Sequence, residues 1–349
     1  MTIQDEKRSN ICSTFSDYFL KRVNPEYMAW EDLKWSIESF IQTEKEREAL
    51  SLDVIKSLEN VSRFPVSRSY LRNVFTKTGL WLKEPCRLSI VGSDEDSDFD
   101  FVFKSYDSGS ITLLEENEKI MGRGTTGLIS WQGAGLLVEW ADALGKDIIQ
   151  GSNILELGSG LGLLGLTLLK NKELGIKSYT CTDTHPNVLN FLLNNAKINL
   201  ENSAEKENNL ESWLTSGPPV IVDTLNADYT DISIDRFRVK YLDWTNYEES
   251  ELPEDIDLIL GSDLVYDRDL LPSLSSLIAT LLRKNKSEAY LACTQRTFET
   301  IEFFLRALKD CGLKADVAYK RTFSPIADAV MMTHETLKPI VLYKITHEE

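Results

Sequence analysis

The sequence predicts an α/β protein. It should hold a seven-stranded, mostly parallel sheet with an antiparallel terminal strand, preceded by a β-hairpin and a helical N-terminal domain. Three observations carry this reading. From Asn153 onward, strand-like apolar runs alternate with helical patterns, as in a parallel sheet covered on both faces. The first of these runs ends in the glycine turn 158-GSGLG-162. Residues 1 to about 98 instead repeat their apolar residues at helical spacing.

In the N-terminal part, 28-MAWEDLKWSIESFI-41 places Trp30, Leu33, Ile37 and Phe40 on one stripe. The run 43-TEKEREALSLDVIKSLENV-61 does the same with Leu50, Val54, Ile55 and Leu58. A further helix is expected in 66-VSRSYLRNVFTKTG-79, with Ser67 as its cap and Gly79 as its stop. No chemistry is visible in residues 1–98. The acidic spacer 93-SDEDSDFD-100 marks the boundary to a second domain, 99–349. That domain opens with a hairpin, 99-FDFVFKSY-106 and 109-GSITLLEENEKI-120, turning at Asp107-Ser108-Gly109. Glu115, Glu116 and Glu118, like the spacer, are expected to be solvated.

The seven sheet strands are 153-NILEL-157, 178-SYTCTD-183, 237-FRVKYL-242, 256-IDLILG-261, 288-EAYLACT-294, 315-ADVAYK-320 and 339-PIVLYKIT-346. The last two are joined by 321-RTFSPIADAVMMTHETLK-338, which holds no convincing helix, so they should pair antiparallel. A helix is expected at 186-PNVLNFLLNNAKINL-200. The polar stretch at about 201–236, with its Gly-Pro-Pro, is too long for a simple connection and reads as an insertion.

Composition narrows the function classes. The formal net charge of −17 disfavours binding to phosphate backbones, so no direct nucleic-acid partner is expected. No apolar run is long enough for a membrane helix, and MTIQDEKRSN lacks the apolar core of an export signal. The five scattered cysteines then read as reduced thiols of a cytoplasmic protein, and neither they nor the three histidines sit at metal-ligand spacing. The expectation is a monomer with no metal.

The stretch 153-NILELGSGLGLLGL-166 fits two cofactor patterns. From Gly158 it reads E-L-G-x-G-x-G. From Gly160 it reads G-x-G-x-x-G, the dinucleotide pattern. A strand ending in such a turn, with a helix behind, offers backbone N–H groups to a polar ligand. The strand ends at Leu157, so the turn should begin at Gly158. Glu156 places a carboxylate at the strand end, which repels a pyrophosphate but suits a ligand bearing an ammonium and a sulfonium. S-adenosyl-L-methionine has both. The glycines alone are weak support, because tight helix–strand packing asks for the same residues.

Later strand ends strengthen the reading. Asp183 closes the second strand, where an acid meets ribose hydroxyls in nucleotide-binding sheets. It could equally cap the helix that begins near Pro186, and Thr184 could share the two tasks. The third strand ends in 241-YLDW-244, with Trp244 placed to lie on an adenine and Asp243 near its amino group. The fourth ends in 260-LGSDLVYD-267. All four features fall at one sheet edge, where open α/β sheets bind ligands.

With these residues in place, the chain resembles the class I, seven-β-strand protein-lysine methyltransferases. The resemblance rests on 156-ELGSGLG-162, 263-DLVY-266 and the Trp-containing segment 124-GTTGLISWQGAGLLVEW-140. Together with YLDW and the N-terminal helices, these look most like the elongation factor 2 lysine methyltransferase family. The match covers roughly residues 121–349, and more loosely 64-FPVSRSYLRNVF-75. It implies a Rossmann-like methyltransferase sheet, S-adenosyl-L-methionine as donor and translation elongation factor 2 as protein substrate. It also implies roles. Trp131 flanks the donor's methionine end, which Gly158, Ser159 and Gly160 line. Asp183 binds ribose, Trp244 packs on adenine, Ser262 sits beneath the donor, and Asp263 and Tyr266 meet the substrate lysine. Ser262 stands where an alanine is common, 132-QGAG-135 departs from the usual small-residue run, and the insertion is unmatched.

Other readings stay open at this stage. They are a methyltransferase for a small molecule or a nucleic acid, a nicotinamide-dependent oxidoreductase using the Gly160 register, and a non-catalytic interaction module.

Overall fold

The computed structural model describes residues 2–23, 28–62, 64–82, 86–92, 99–106, 110–117, 123–201, 210–220, 232–321 and 338–348. The chain forms two compact units, one built mainly from residues 1–119 and the other mainly from 120–349. Their boundary falls after the hairpin, whereas the acidic spacer suggested residue 98.

In the first unit, α1 (Ile3–Leu20), α2 (Met28–Phe40), α3 (Glu44–Val61) and α4 (Arg68–Thr78) enclose an apolar core. Phe15 is its centre, edge-on to Trp30 and to Phe75 at 5.2 Å each. The expected ends of α4 are both present. The Ser67 hydroxyl accepts the Tyr70 N–H at 3.1 Å, and Gly79 closes the helix in the left-handed conformation at φ 68°. A short parallel pair, β1 (Val66–Ser67) and β2 (Ile90–Val91), precedes the hairpin β3 (Phe101–Tyr106) and β4 (Ile111–Glu116). Its turn at Asp107–Gly109, the spacer 93–98 and Glu118 lie outside the described residues. The solvated role expected for Glu115 and Glu116 does not hold. Both are buried, and Glu115 pairs with the equally buried Lys104 at 3.3 Å. A charge removed from water needs such a partner.

The second unit begins with α5 (Gln132–Trp140), continued by a π turn and the short α6 (Lys146–Ile149). Then follow β5 (Asn153–Leu157), α7 (Leu163–Lys170), β6 (Ser178–Asp183) and α8 (Pro186–Leu200). The insertion contributes α9 (Leu210–Ser216), which clusters with the first unit, and β7 (Ile232–Ile234). The rest is β8 (Phe237–Tyr241), β9 (Leu258–Ser262), α10 (Leu271–Asn285), β10 (Glu288–Thr294), α11 (Phe298–Asp310), β11 (Leu313–Arg321) and β12 (Ile340–His347).

All seven expected strands form, and β7 adds an eighth at the edge. The order is β11-β12-β10-β9-β5-β6-β8-β7. The five strands from β10 to β8 run parallel. β12 is antiparallel to both β10 and β11, as expected for a direct return; the link 322–337 lies outside the described residues. Parallel strands buried on both faces need continuous apolar runs, and β5 is buried from Ile154 to Leu157. Leu155, Leu157 and Ile259 join α10 and α11 in the core on one face. On the other, α5 packs against β9 and β10, and α7 and α8 against β6. From β5 the chain winds one way to β6 and β8, then returns to β9 and β10 on the other side. This reversal opens a crevice at the strands' carboxyl ends.

Candidate active site

At that crevice lies a cleft of about 370 Å³. The turn after β5 forms its floor. Gly158 and Gly160 have φ of 58° and 53°, a left-handed conformation that costs other residues about 1–2 kcal/mol. A side chain at Gly158 would also place its Cβ 2.5 Å from Leu264 Cδ2 and 3.3 Å from Trp244 Cζ2. The turn therefore starts at Gly158, as the strand end predicts. Gly165 serves packing within α7, since a Cβ there would meet the Tyr179 ring at 2.5 Å.

Each strand end delivers its residue to the cleft. After β6, Asp183 Oδ2 accepts the Gly160 N–H at 3.3 Å, and Oδ1 accepts those of Thr184 and His185 at 2.8 and 3.1 Å. Burial pushes its pKa up while these donors pull it down. So Asp183 orders the glycine turn and the two residues leading into α8, while the helix cap expected of it is absent: His185 stands at the N-cap and no side chain caps the helix. After β8, Asp243 Oδ1 accepts the Thr245 backbone N–H at 2.8 Å and its hydroxyl at 2.7 Å, and Trp244 lines the wall beside Gly158.

After β9, Asp263 continues the sheet, donating its N–H to Ala292 at 2.8 Å, then turns at φ 55°. Such a φ is uncommon away from glycine and aims the carboxylate toward α5. Oδ2 accepts the Gly133 N–H at 2.7 Å and Oδ1 the Thr294 N–H at 3.1 Å. Arg296 stands 3.6 Å from Oδ1. Only 7% exposed, Asp263 has its pKa raised by burial, against the opposing pull of Arg296 and the N–H donors. Tyr266, half exposed, lines the rim. Trp131 caps α5 by its backbone, donates its indole N–H to Thr126 at 3.0 Å, and carries the Arg296 guanidinium over its ring at 5.0 Å.

The fold thus gathers Trp131, Gly158, Gly160, Asp183, Asp243, Trp244, Ser262, Asp263 and Tyr266 around one cleft. Glu156 and Ser159 do not line it. Leu155 and Leu157 face α10 and α11, so the alternating Glu156 points the other way, where Tyr179 O–H donates to it at 2.9 Å. At 1% exposure its pKa is pushed up to about 8 by burial. Ser159 ties the turn to β6: its Oγ accepts the Thr182 N–H at 3.0 Å and its N–H reaches Thr182 O at 2.8 Å. The sequence reading did not pick out Thr125 and Thr126 of the lining, nor Arg296 behind it. Arg296 follows the fifth strand end, so the rule that found Asp183 and Asp263 would have found it too. Among the described residues, no group of three or more His, Cys, Asp or Glu could hold a metal ion. Nor is any described helix long and apolar enough to cross a membrane.

A sheet of this order, with a glycine turn and acidic strand ends around one crevice, defines a Rossmann-like methyltransferase fold. The chain belongs to the lysine methyltransferase family, whose model matches residues 110–234 and 224–310. Protein-lysine N-methyltransferase EEF2KMT of Bos taurus is 28% identical over 244 residues, covering 68% of this chain and 66% of that protein. Protein-lysine N-methyltransferase EFM3 of Saccharomyces cerevisiae is 26% identical over 254 residues, covering 68% and 66%. An uncharacterized protein of Dictyostelium discoideum reaches 30% over 260 residues, covering 72% and 67%. The chain spans 56% to 66% of the length of the mammalian EEF2KMT proteins it matches. Among solved structures, M. jannaschii TYW2 in complex with AdoMet aligns with a TM-score of 0.40 at 12% identity, covering 72% of this chain and 89% of that one.

Proposed function

We propose that the chain transfers methyl groups from S-adenosyl-L-methionine to a lysine side chain of translation elongation factor 2, in the cytoplasm and as a monomer. The convergence of Gly158, Gly160, Asp183, Trp244 and Asp263 on one cleft carries the donor assignment. Family membership supports the lysine. The elongation factor rests on the resemblance of the motif segments and on the names of the mammalian relatives.

The residues present fit the donor. Gly158 lets Leu264 and Trp244 close on the turn, Gly160 leaves open space beside it that a side chain would take, and a carboxylate and an indole flank the cleft. Asp183 would hold the ribose hydroxyls and Trp244 would lie against the adenine, with Asp243 near its amino group. Trp131 and Ser262 would border the methionine end, and Glu156 and Ser159 would act through the shape of the turn. The bound donor supplies a methyl group on a positively charged sulfur, ready for in-line displacement by an amine. Aligning that amine is the protein's task, and alignment can supply a large part of the rate enhancement. Asp263 presents fixed negative charge where the amine must approach. Tyr266 offers a hydroxyl and an aromatic face at the rim, against which a partly methylated ammonium can rest.

The test is incubation with isotopically labelled donor and cell extract, then mass spectrometry of the labelled band. A labelled lysine in elongation factor 2 is the expected result. Label confined to nucleic acid or small molecules would overturn the lysine assignment. Saturable NAD binding without donor binding, by calorimetry, would overturn the cofactor.

A further inference from the structure

β10 ends at Thr294, at the same sheet edge as the cleft, and the chain passes through Gln295 and Arg296 before α11 begins. Two contacts of the Arg296 side chain reach the wall of the cleft. Its guanidinium stands 5.0 Å from the centre of the Trp131 ring, and its Nη1 lies 3.6 Å from Asp263 Oδ1. One contact grips the residue that opens α5. The other grips the carboxylate that fastens α5 to β9 through the Gly133 N–H. A planar guanidinium can lie on an indole and turn its edge to a carboxylate, a flat geometry that an ammonium does not reproduce. The side chain is three-quarters covered, so water screens the cation–ring attraction only in part. Asp263, buried among N–H donors, gains from Arg296 the full positive charge that favours its ionised form.

We propose that Arg296 is a positioning residue for methyl transfer, clamping Trp131 and Asp263 together so that the amine side of the cleft keeps its shape. The inference rests on the proposed lysine methylation. Strand order sets its consequence. Asp183 and Trp244 follow β6 and β8, on one side of β5, while Asp263 and Arg296 follow β9 and β10, on the other. Loosening the clamp should therefore impair turnover more than donor binding, which it reaches only through Trp131 at the methionine end while the ribose and adenine contacts stay in place.

The experiment compares the parent with Arg296→Met and Arg296→Lys. It measures donor affinity by calorimetry with S-adenosyl-L-methionine, kcat and KM on elongation factor 2, and Trp131 emission, taken as the difference from the corresponding Trp131→Phe proteins. The expected result for Arg296→Met is a kcat about 10- to 100-fold lower, donor affinity within about 3-fold, and altered Trp131 emission. Arg296→Lys, which keeps the charge on Asp263, should recover part of the rate but not the parent emission. Unchanged kcat and emission would overturn the clamp, and so would donor affinity falling in step with kcat. If Arg296→Met does not fold, Arg296→Lys decides by its emission: a parent-like spectrum at parent kcat rejects the clamp. A parent protein that methylates no lysine rejects the proposed function instead, and Trp131 emission with donor affinity then decides on the clamp.

Discussion

The carboxylate of Asp263 and the backbone N–H of Gly133, 130 residues apart in sequence, form a 2.7 Å hydrogen bond inside the cleft wall. With the Thr294 N–H and Arg296 on the other oxygen, both oxygens of Asp263 are engaged. Asp263 is therefore held by the fold, and in the proposed transfer it would act by placement and charge more than as a free base.

That arrangement separates two substitutions. Asp263→Ala removes the charge and all its bonds. Asp263→Asn keeps the shape, but its amide nitrogen must face either the Gly133 or the Thr294 N–H, donor against donor. An unsatisfied buried donor costs about 1–3 kcal/mol. Both variants should lose at least about 100-fold in kcat while still binding the donor, if transfer needs this charge in place. Near-normal turnover by Asp263→Asn, measured on elongation factor 2, would remove Asp263 from the mechanism.

Gly133→Ala sets helix propensity against packing. Alanine should favour α5 by about 1 kcal/mol. Yet its Cβ would sit 2.7 Å from Asp263 Oδ2 and 3.2 Å from the Asp263 backbone nitrogen. The carboxylate cannot retreat without breaking its bonds to Thr294 and Gly133, so packing should win. The expected outcome is a lowered thermal midpoint and a kcat loss comparable to that of Asp263→Asn. A stabilised, fully active Gly133→Ala would mean that the wall yields easily.

Gly158→Ala tests the donor end. The left-handed φ costs about 1–2 kcal/mol, and the clash with Leu264 adds about 1–3 kcal/mol of overpacking. Pushing Leu264 or Trp244 aside also reshapes the wall proposed for the adenine. Calorimetry should show donor affinity lost beyond about 10-fold in protein that still melts cooperatively. Parent-like affinity would place the donor elsewhere.

The sheet was legible because its strands are buried on both faces and so read as unbroken apolar runs between turn signals. Ser67 and Gly79 were legible because a cap and a stop are local chemistry. Helix α1 was not singled out: its first half is polar, and its buried aromatic residues crowd the second. β7 escaped because three residues of Ile-Ser-Ile in a polar stretch are too short to show a period. Site residues at strand ends were readable because periodicity fixes where a strand stops. Which way Glu156 faces depends on what packs above and below β5, and that is tertiary information. The same holds for Glu115, whose burial follows from its partner Lys104 and not from its own sequence neighbours.

Glu156 supplies a prediction about pH. Its folded pKa is pushed up to about 8, well above the ordinary value for a free glutamate, because burial disfavours the carboxylate. Tyr179 O–H and Cys181 S–H face it from β6, and Asp183 adds like charge. Between the unfolded pKa of about 4.3 and the folded value, the native state holds a proton that the unfolded chain has released. Stability must then fall as pH rises through that window, by an upper bound on the order of 5 kcal/mol once pH exceeds 8. Glu156→Gln cannot titrate, so its stability should lack this slope. Denaturant unfolding of both proteins at pH 5.5, 7 and 8.5 gives the comparison. The difference, parent minus variant, should decline steadily with pH, and the variant should overtake or close on the parent at the alkaline end. A difference that stays flat from pH 5.5 to 8.5 would mean that Glu156 is a stabilised carboxylate, ionised in both states, and that the hydrogen bonds from Tyr179 and Cys181 outweigh its burial.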